Sequence, residues 1–431
     1  MHPEQPPTGI DTSGHVSRFA TCSLDDEAWE KAINDEVSNL LSQLNHQALV
    51  QVTSSLRGGK PCVFMPGQHL GSGAIMGCAN YHAWLIFDDG ERWLARIPRT
   101  GFSDVPPELV EYLVCSEYAT LKFLETTSIP APKAFGYGLA SDPTNHVGVS
   151  YLLIEALPGR PYQPWNATPE QSRHVLNQVA DMMIELSRHP FPKAGSLLFV
   201  DDEIQIDRVA SNRFIHLGCY GPFTTTADYF GETAAQYISL ILDGQLHHRY
   251  PLEAYLFYSL LQSHAADMPG ASSEAFFLKH VDDKGDHLLI DDDYNVVGVI
   301  DWQFARTVPA CEAFGPSLLT ADLNGLYSRE STINPNDKAL AEALRERGSD
   351  TLAAHMSEGD LVRRFQFGIP GGMSQAEVRE VLAGVLISVG AHPITIDVGS
   401  WIETKREELA KTSTGKELLQ RIEELLKLQD W

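Results

Sequence analysis

Alternating apolar and polar residues near position 90 predict a β-hairpin. Residues 83–87 and 92–97 are rich in aromatic and branched apolar side chains, and an acidic turn with one glycine separates them. Such residues favour strands, and the glycine supplies the backbone freedom that a tight turn needs. Side chains alternate between the two faces of a strand, so Arg96 shares a face with Leu94 and not with Trp93. Arg96 can therefore point into a cleft.

The next segment is predicted to be a helix with a charged residue on its apolar face. Pro106 and Pro107 are suited to a helix start. The apolar positions that follow recur at spacings of three and four: Val110, Leu113, Val114, Leu121 and Leu124. Glu117 falls on the same stripe, and burying an unpaired carboxylate costs several kcal/mol. We therefore expect Arg96 to pair with Glu117, although either residue could instead be a solvated surface group.

A second hairpin is predicted near residue 290, with an acidic loop at its entrance. Residues 288–290 and 296–300 form two short apolar runs joined by an acidic turn. The entering loop, residues 280–287, contains Asp282, and Asp301 directly follows the second run. Two strands joined by a turn can bring both carboxylates into one cleft. The alternative is a simple solvated surface turn.

The remaining pattern predicts two lobes behind a polar N-terminal segment. Residues 1–22 are expected to be disordered. Residues 23–157 are predicted to form a small lobe with an antiparallel sheet and an N-terminal helical extension, and residues 158–431 a larger, mostly helical lobe. The fold class is therefore expected to be α+β and bilobal. Helical periodicity is clearest at residues 169–187, 227–242, 252–264 and 375–388, and Thr414 with Glu417 is predicted to cap the last helix.

Two further segments are candidates for nucleotide binding. A glycine-rich stretch before the first hairpin contains Ser72, Gly73 and Asn80. Glycines let backbone amides approach phosphate oxygens, and the two polar side chains can add hydrogen bonds. A predicted strand at residues 148–154 runs into residues 155–159, which end in Pro-Gly. Such glycines and strand ends are also common in proteins without a nucleotide site.

The second hairpin and its entrance loop resemble the catalytic loop of the aminoglycoside phosphotransferase and choline kinase family, which has a protein-kinase-like fold. The family pattern is His-Gly-Asp, four residues, Asn, a short apolar strand and then Ile-Asp-Trp. His280 and Asp282 match its first and third positions, and Asp301 matches the later Asp. Val281 replaces the glycine, and His287 stands where the family has Asn.

This resemblance implies a kinase that uses ATP and Mg²⁺ to phosphorylate a hydroxyl of a small molecule. It assigns Asp282 as the proton acceptor, with His280 in the same catalytic group. Lys284 would meet the γ-phosphate, or else be a solvated loop charge. Asp301 would bind the metal with His287, and because imidazole suits Mn²⁺ better than Mg²⁺, Mn²⁺ is a second candidate.

The resemblance covers roughly residues 65–320 and extends to the nucleotide side of the site. Arg96 corresponds to the strand lysine of kinase-like enzymes, and Glu117 to the helix carboxylate that holds it. The residues after the 148–154 strand correspond to the interlobe hinge that binds the adenine edge. The remaining nucleotide-binding residues that the resemblance implies are Ser72, Gly73, Asn80, Glu155 and Leu157.

Charge and composition restrict the kinds of molecule that the protein is expected to bind. The chain has 57 acidic residues against 32 Lys and Arg, a formal net charge of -25, and such a surface repels nucleic acid and anionic membranes. It has no apolar run of about 18 residues, no secretion signal and no C-x-x-C pair among its six cysteines. We therefore expect a cytoplasmic protein with reduced thiols and a small acceptor that is cationic or neutral.

The acceptor pocket is expected in the C-lobe, at residues 212–229 and 306–319. Aromatic candidates for its lining are Trp165, Tyr220, Phe223 and Trp302, although aromatic side chains in such loops often serve packing. The sequence does not identify the acceptor.

Two other functions are compatible with the departures at Arg96 and His287. One is a pseudokinase that binds a nucleotide or metabolite without transfer. The other is an enzyme that uses ATP differently, for instance to activate a carboxylate. Formation of ADP or of AMP would separate the two enzymatic hypotheses.

Overall fold

A computed structural model describes residues 26–67, 80–99, 105–201, 203–210, 220–270, 274–330, 333–390 and 392–427. The predictions for residues 1–22, Ser72 and Gly73 lie outside these ranges. Within the ranges, the helices are α1 (Asp26–Gln43), α2 (His46–Leu56), α3 (Pro107–Leu124), α4 (Pro169–Ser187), α5 (Thr226–Leu242), α6 (Pro251–Ser263), α7 (Ala310–Ala313), α8 (Leu323–Tyr327), α9 (Pro335–Glu346), α10 (Asp350–His355), α11 (Leu361–Phe367), α12 (Gln375–Ser388), α13 (Val398–Leu409) and α14 (Ser413–Lys427). The strands are β1 (Cys62–Met65), β2 (Asn80–Phe87), β3 (Arg92–Pro98), β4 (Ala134–Gly138), β5 (Tyr151–Glu155), β6 (Arg160–Pro161), β7 (Ser196–Val200), β8 (Glu203–Asp207), β9 (Phe276–Lys279), β10 (Leu288–Ile290), β11 (Val296–Val299) and β12 (Arg306–Pro309).

An antiparallel sheet of five strands forms the N-lobe, in the order β1-β2-β3-β5-β4. The predicted first hairpin is confirmed as β2 and β3. Gly90 in its turn has a φ of 85°, in the left-handed region that glycine adopts without strain. Helix α1 places Ile33 and Val37 in the same buried cluster as Leu85 and Trp93. Helix α1 therefore packs on the sheet of the N-lobe.

Helix α3 joins the sheet to the rest of the molecule. It begins with the predicted proline and buries Leu113, Val114, Leu121 and Leu124. Val114 and Leu121 lie in a cluster with apolar residues of β5, β10, β11, α4 and α9. Glu117 is buried on the same face, as its spacing predicts. The helix thereby fixes one carboxylate at the junction of the two lobes.

The C-lobe is mostly helical and contains a second large core. Helices α5, α6, α11, α12 and α13 pack around it. The helices predicted near 169–187, 227–242, 252–264 and 375–388 are confirmed as α4, α5, α6 and α12. The predicted cap of the last helix is wrong by two residues. The hydroxyl that accepts a hydrogen bond from the Gly415 N–H belongs to Thr412 and not to Thr414. No helix in the described ranges is both long and apolar enough to cross a membrane.

Candidate active site

The second hairpin holds the candidate catalytic loop. Loop 280–287 connects β9 to β10, and β10 pairs antiparallel with β11, with Leu288 opposite Val299. The acidic turn between the strands is closed by Asp291, whose carboxylate accepts hydrogen bonds from main-chain N–H groups of the turn. Asp301 follows the second strand after one residue. The predicted hairpin is therefore confirmed, and it brings the loop and Asp301 to the same end.

Asp301 lies at the centre of the polar cluster. Its φ of 66° is in the left-handed region, which costs free energy for a residue other than glycine and is frequent at functional sites. Arg96 Nη2 donates a hydrogen bond to its Oδ1 over 2.6 Å, and His287 Nε2 lies 3.5 Å from its Oδ2. Burial alone would raise the pKa of this carboxyl, but the neighbouring guanidinium outweighs burial and lowers it to about 2. Asp301 is thus held as an anion.

Arg96 also contacts the carboxylate on α3. Its Nη2 lies 3.4 Å from Glu117 Oε1, and both side chains are buried. The predicted contact between Arg96 and Glu117 is therefore present, and their role toward a nucleotide stays a prediction. Burial, which Arg96 only partly offsets, raises the pKa of Glu117 to about 7. One guanidinium thus joins two carboxylates, one from each lobe.

His287 connects the main chain of the loop to Asp301. Its Nδ1 lies 2.8 Å from the carbonyl oxygen of Asp282. A carbonyl oxygen only accepts hydrogen bonds, so Nδ1 carries a proton and donates it. In the neutral ring Nε2 then has a lone pair, and it faces a carboxylate oxygen of Asp301. A cation, either a second proton on the ring or a metal ion, would relieve the repulsion between these two atoms.

Asp282 and Lys284 face an open space. Lys284 Nζ lies 3.1 Å from Asp282 Oδ1, and the two side chains are 52% and 42% exposed. Partial burial lowers the pKa of Lys284, but the hydrogen bond to Asp282 outweighs it and the pKa is raised. The neighbouring Asp283 is engaged instead, accepting from Lys279 Nζ at 2.9 Å and from the Leu318 N–H at 3.3 Å. Of the two adjacent aspartates, Asp282 is the one available to a substrate.

His280 holds the loop in place. Its Nε2 donates to the carbonyl oxygen of Ile300 over 2.8 Å, and its ring packs against the edge of Trp302. Burial, and then the nearby His287, lower its pKa, so the ring is neutral. It does not line the cavity described below. These contacts hold the loop in position, and the catalytic role that the sequence suggests for His280 stays a prediction.

Asn80 links the N-lobe to the segment after Asp301. Its Nδ2 donates to Gln303 Oε1 over 2.9 Å, and both side chains are buried. The amide is thus engaged with protein, and a contact from Asn80 to a phosphate stays a prediction.

The predicted hinge residues lie where β5 leaves the N-lobe. Glu155 makes two hydrogen bonds with the main chain of Lys133, one through its own N–H and one through its carboxylate. Leu157 Cδ1 lies over Gly298 of β11, at 2.8 Å from the position a β-carbon would take there. This segment therefore touches both lobes, and its contact with an adenine ring stays a prediction.

A cavity of about 970 Å³ opens beside Asp282 and Lys284. Its main walls are residues 245–250, between α5 and α6, and residues 366–373, between α11 and α12. Sequence reasoning missed both walls, although the Gly-Ile-Pro-Gly-Gly run at 368–372 signals an irregular loop.

The aromatic residues expected to line an acceptor pocket are elsewhere. Tyr220, Phe223 and Trp302 are buried in the cores, and Trp165 is 76% exposed. None of the four lines the cavity. Leu318, within the predicted segment 306–319, does line it.

Solved phosphotransferases resemble this chain at low sequence identity. The apoenzyme of macrolide 2'-phosphotransferase MphH from Brachybacterium faecium is 16% identical, with 79% of this chain and 97% of that chain covered and a TM-score of 0.38. The GDP complex of wild-type aminoglycoside 2'-phosphotransferase-IIIa is 16% identical, with 80% and 99% covered and a TM-score of 0.43. ADP-bound aminoglycoside phosphotransferase APH(2'')-Ib is 12% identical, with 80% and 99% covered and a TM-score of 0.43. This likeness is too distant to carry an argument about function.

The sequence itself matches a family profile. No curated protein matches the chain significantly. The profile described as the phosphotransferase enzyme family matches residues 76–349, which is more than half of the chain. The matched range contains Arg96, Glu117, loop 280–287 and Asp301. The chain therefore belongs to the phosphotransferase enzyme family and has a bilobal α+β fold of the protein-kinase-like type.

Proposed function

We propose that this protein is a kinase that transfers the γ-phosphoryl group of ATP to a hydroxyl of a small molecule. One observation carries the proposal: loop 280–287 borders both the cavity and the charged cluster. Asp282 lines the cavity, and His287 of the same loop contacts Asp301, which is paired with Arg96. An acceptor in the cavity and a nucleotide at the cluster would meet at this loop, as in-line transfer requires.

The chemistry assigned to the loop is a single displacement. The acceptor oxygen forms a bond to the γ-phosphorus while the bond from that phosphorus to the β,γ-bridging oxygen breaks, and ADP leaves. The hydroxyl proton passes to the Asp282 carboxylate, which faces the cavity. Lys284, hydrogen-bonded to Asp282, would stabilise the charge that spreads over the transferring oxygens.

The nucleotide is assigned to the cleft between the N-lobe sheet and the loop. Arg96 would bind phosphate oxygens while Glu117 fixes its orientation, since a guanidinium can serve two oxyanions at once. The hinge at Glu155 and Leu157 would receive the adenine edge. The further phosphate contacts proposed from the sequence are Ser72, Gly73 and Asn80.

Asp301 and His287 fit a divalent cation. Their facing atoms, Oδ2 and Nε2, are 3.5 Å apart and both present lone pairs when the ring is neutral. No group of three or more His, Cys, Asp or Glu side chains suited to a metal occurs in the described ranges. Two protein ligands are nevertheless usual for Mg²⁺ at nucleotide sites, where phosphates and water complete the shell. A bound Mg²⁺ or Mn²⁺ would neutralise charge on the phosphates.

The first prediction concerns Asp282→Asn. Because the amide cannot accept the hydroxyl proton, kcat should fall by roughly 10²-fold or more while the KM for ATP changes little. The measurement is release of ADP from ATP, or of GDP from GTP, with Mg²⁺ or Mn²⁺ across a panel of small alcohols. Asp292→Asn, in the exposed acidic turn, is the matched control and should behave as wild type. An unchanged kcat in the Asp282 variant would remove this residue from the chemistry.

A binding protein without transfer is the second candidate. Arg96 already occupies one carboxylate oxygen of Asp301 at 2.6 Å, which would compete with a metal-bound nucleotide. This function gives thermal stabilisation by nucleotide with neither ADP nor AMP formed. Formation of AMP would indicate instead that ATP activates a second substrate, such as a carboxylate.

A further inference from the structure

The wall of the cavity formed by residues 366–373 lies beyond the part of the chain that matches the family. The match ends at residue 349. Residues 245–250, which form another wall, lie within the match, and Asp282 and Lys284 also line the cavity. The family assignment therefore does not define the acceptor, and the chemistry of the walls has to be taken from this chain.

Four rings of the cavity lining are stacked in sequence, and two of them, Tyr250 and Tyr258, are also buried in the C-lobe core. Tyr237 and Tyr258 have centroids 4.4 Å apart and planes inclined by 7°. The ring of His247 is inclined by 19° to Tyr258 and by 24° to Tyr250. His247 has a φ of 54°, in the left-handed region, and this conformation costs free energy for a residue other than glycine. Eight apolar side chains also contribute to the lining: Val105, Leu109, Leu240, Leu246, Leu318, Phe367, Ile369 and Met373.

This lining favours a ligand with a rigid ring. Aromatic and apolar walls bind flat or alicyclic bodies through area burial and ring contacts, whereas they do not replace the water lost by a heavily hydrated polyol or polyamine.

The charges of the lining are mainly positive, although the whole chain carries a formal charge of -25. Asp282 is the only carboxylate among the described residues of the lining, and Lys284 is paired with it. Arg249 is exposed, and no ion pair joins it to another residue in the described ranges. The imidazole rings of His247 and His248 also line the cavity. A polycation would place its charges beside Arg249 and Lys284, and such like-charge contacts are costly.

We propose that the acceptor is a ring-bearing alcohol that carries an anionic group such as a carboxylate. Its hydroxyl lies beside Asp282, its ring lies against the apolar lining that includes the half-buried Tyr237 and His247, and its anionic group pairs with Arg249. This inference rests on the proposed kinase function for the role of the hydroxyl. It replaces the expectation of a cationic or neutral acceptor, because the net charge of the chain does not describe its cavity.

The test uses matched probes and measures binding without turnover. The probes are three hydroxymethyl-biphenyls that carry a carboxylate, a carboxamide or an aminomethyl group, together with one aminoglycoside as a polycation. Calorimetry on the wild-type protein should give a dissociation constant for the carboxylate that is at least about tenfold lower than that for the aminomethyl compound. A tenfold difference corresponds to about 1.4 kcal/mol, as expected for one ion pair. Tighter binding of the aminomethyl compound or the aminoglycoside would overturn the proposal, as would no binding of the carboxylate at millimolar concentration.

Variants at Arg249 locate the anionic group. Arg249→Glu should weaken binding of the carboxylate by about tenfold or more and leave the carboxamide within about twofold. Arg173→Gln, an exposed arginine on α4, is the control and should change neither constant. Equal affinity of the Arg249 variant and wild type for the carboxylate would exclude this residue from recognition. The melting temperature of each variant confirms that it is folded.

Turnover separates this inference from the kinase proposal. If the carboxylate probe binds in a manner that depends on Arg249 but no ADP forms, the proposed class of ligand is retained and the kinase reaction is rejected. If ADP forms only with a cationic acceptor, the kinase reaction is retained and the proposed class of ligand is rejected.

Discussion

His287 lies between the two carboxylates on which the proposed mechanism depends. Its Nδ1 is committed to the main chain of Asp282, so its Nε2 is directed at Asp301. The same ring thus shapes the loop and offers one candidate ligand atom. Replacing the family's amide by an imidazole at this position changes the donor from a hard oxygen to a softer nitrogen.

The second prediction is that His287→Asn lowers the ratio of activity with Mn²⁺ to activity with Mg²⁺. An amide oxygen suits Mg²⁺ better than imidazole does. The ratio is measured from initial rates of ADP release at saturating metal. His146→Asn, on an exposed N-lobe loop, is the control. The same ratio in wild type and the His287 variant would mean that His287 is no ligand and only shapes the loop.

Glu117 gives the third prediction, a dependence of stability on pH. Its folded pKa of about 7 lies above its ordinary value of 4.5, so the folded state holds this proton more tightly than the unfolded state does. The resulting stabilisation is complete below pH 4.5 and disappears as the pH rises through about 7. It amounts to at most about 3 kcal/mol. Glu117→Gln has no such proton to lose.

The measurement is the melting temperature of wild type and Glu117→Gln between about pH 5 and pH 8. Wild type should lose stability relative to the variant as the pH rises across this window. Glu108→Gln, exposed on the same helix, should run parallel to wild type. Parallel curves for wild type and Glu117→Gln would show that Glu117 keeps an ordinary pKa.

At the scale of elements, the sequence pattern predicted those features that depend on residues close together in the chain. Both hairpins follow from alternation and turn residues, and the burial of Glu117 follows from its phase on α3. The cap at Thr414 failed by two residues because neighbouring threonines compete for the same role, and sequence alone does not choose between them. The cavity could not be predicted, since tertiary packing brings together walls that are far apart in the chain. Tyr237 and Tyr258 lie on helices at core spacing, and both do pack in or against the C-lobe core, so spacing does not mark them as cavity residues.

The hinge between the lobes gives the fourth prediction at this scale. Gly159 has a φ of 105°, and a β-carbon there would lie 2.7 Å from Val297 Cγ2 and 3.0 Å from the Ile290 carbonyl oxygen. Gly159→Ala should therefore combine backbone strain with a clash and cost about 2 to 4 kcal/mol. Gly90→Ala is the matched control, because its φ is 85° and no other atom lies within 4 Å. It should cost about 1 kcal/mol from strain alone.

Chemical denaturation measures both changes, and the binding of ATP by each variant shows whether the hinge acts on the nucleotide site. Equal losses of stability in the two variants would mean that the hinge relaxes around the added methyl group.

At the scale of the whole molecule, three large buried clusters lie along the chain's two lobes. One is in the N-lobe, one lies at the junction of the lobes and one is in the helical C-lobe. The candidate catalytic loop leads into β10, whose Leu288 and Ile290 belong to the junction cluster. The proposed acceptor cavity takes one wall from residues 366–373, beyond the family match that ends at residue 349. Catalytic groups and acceptor recognition are thus assigned to different parts of one chain.

If the cleft binds nucleotide as proposed, the hydrogen bond between Asn80 and Gln303 limits how fast the cleft opens. It crosses the cleft from the first residue of β2 to the second residue after Asp301, and it is buried. The cleft cannot widen here until these two amides part. Parting leaves both amides unsatisfied until water reaches them, so opening has a barrier that is independent of any substrate. Departure of spent nucleotide would then follow the rate at which this amide pair breaks, even when the chemical step is faster.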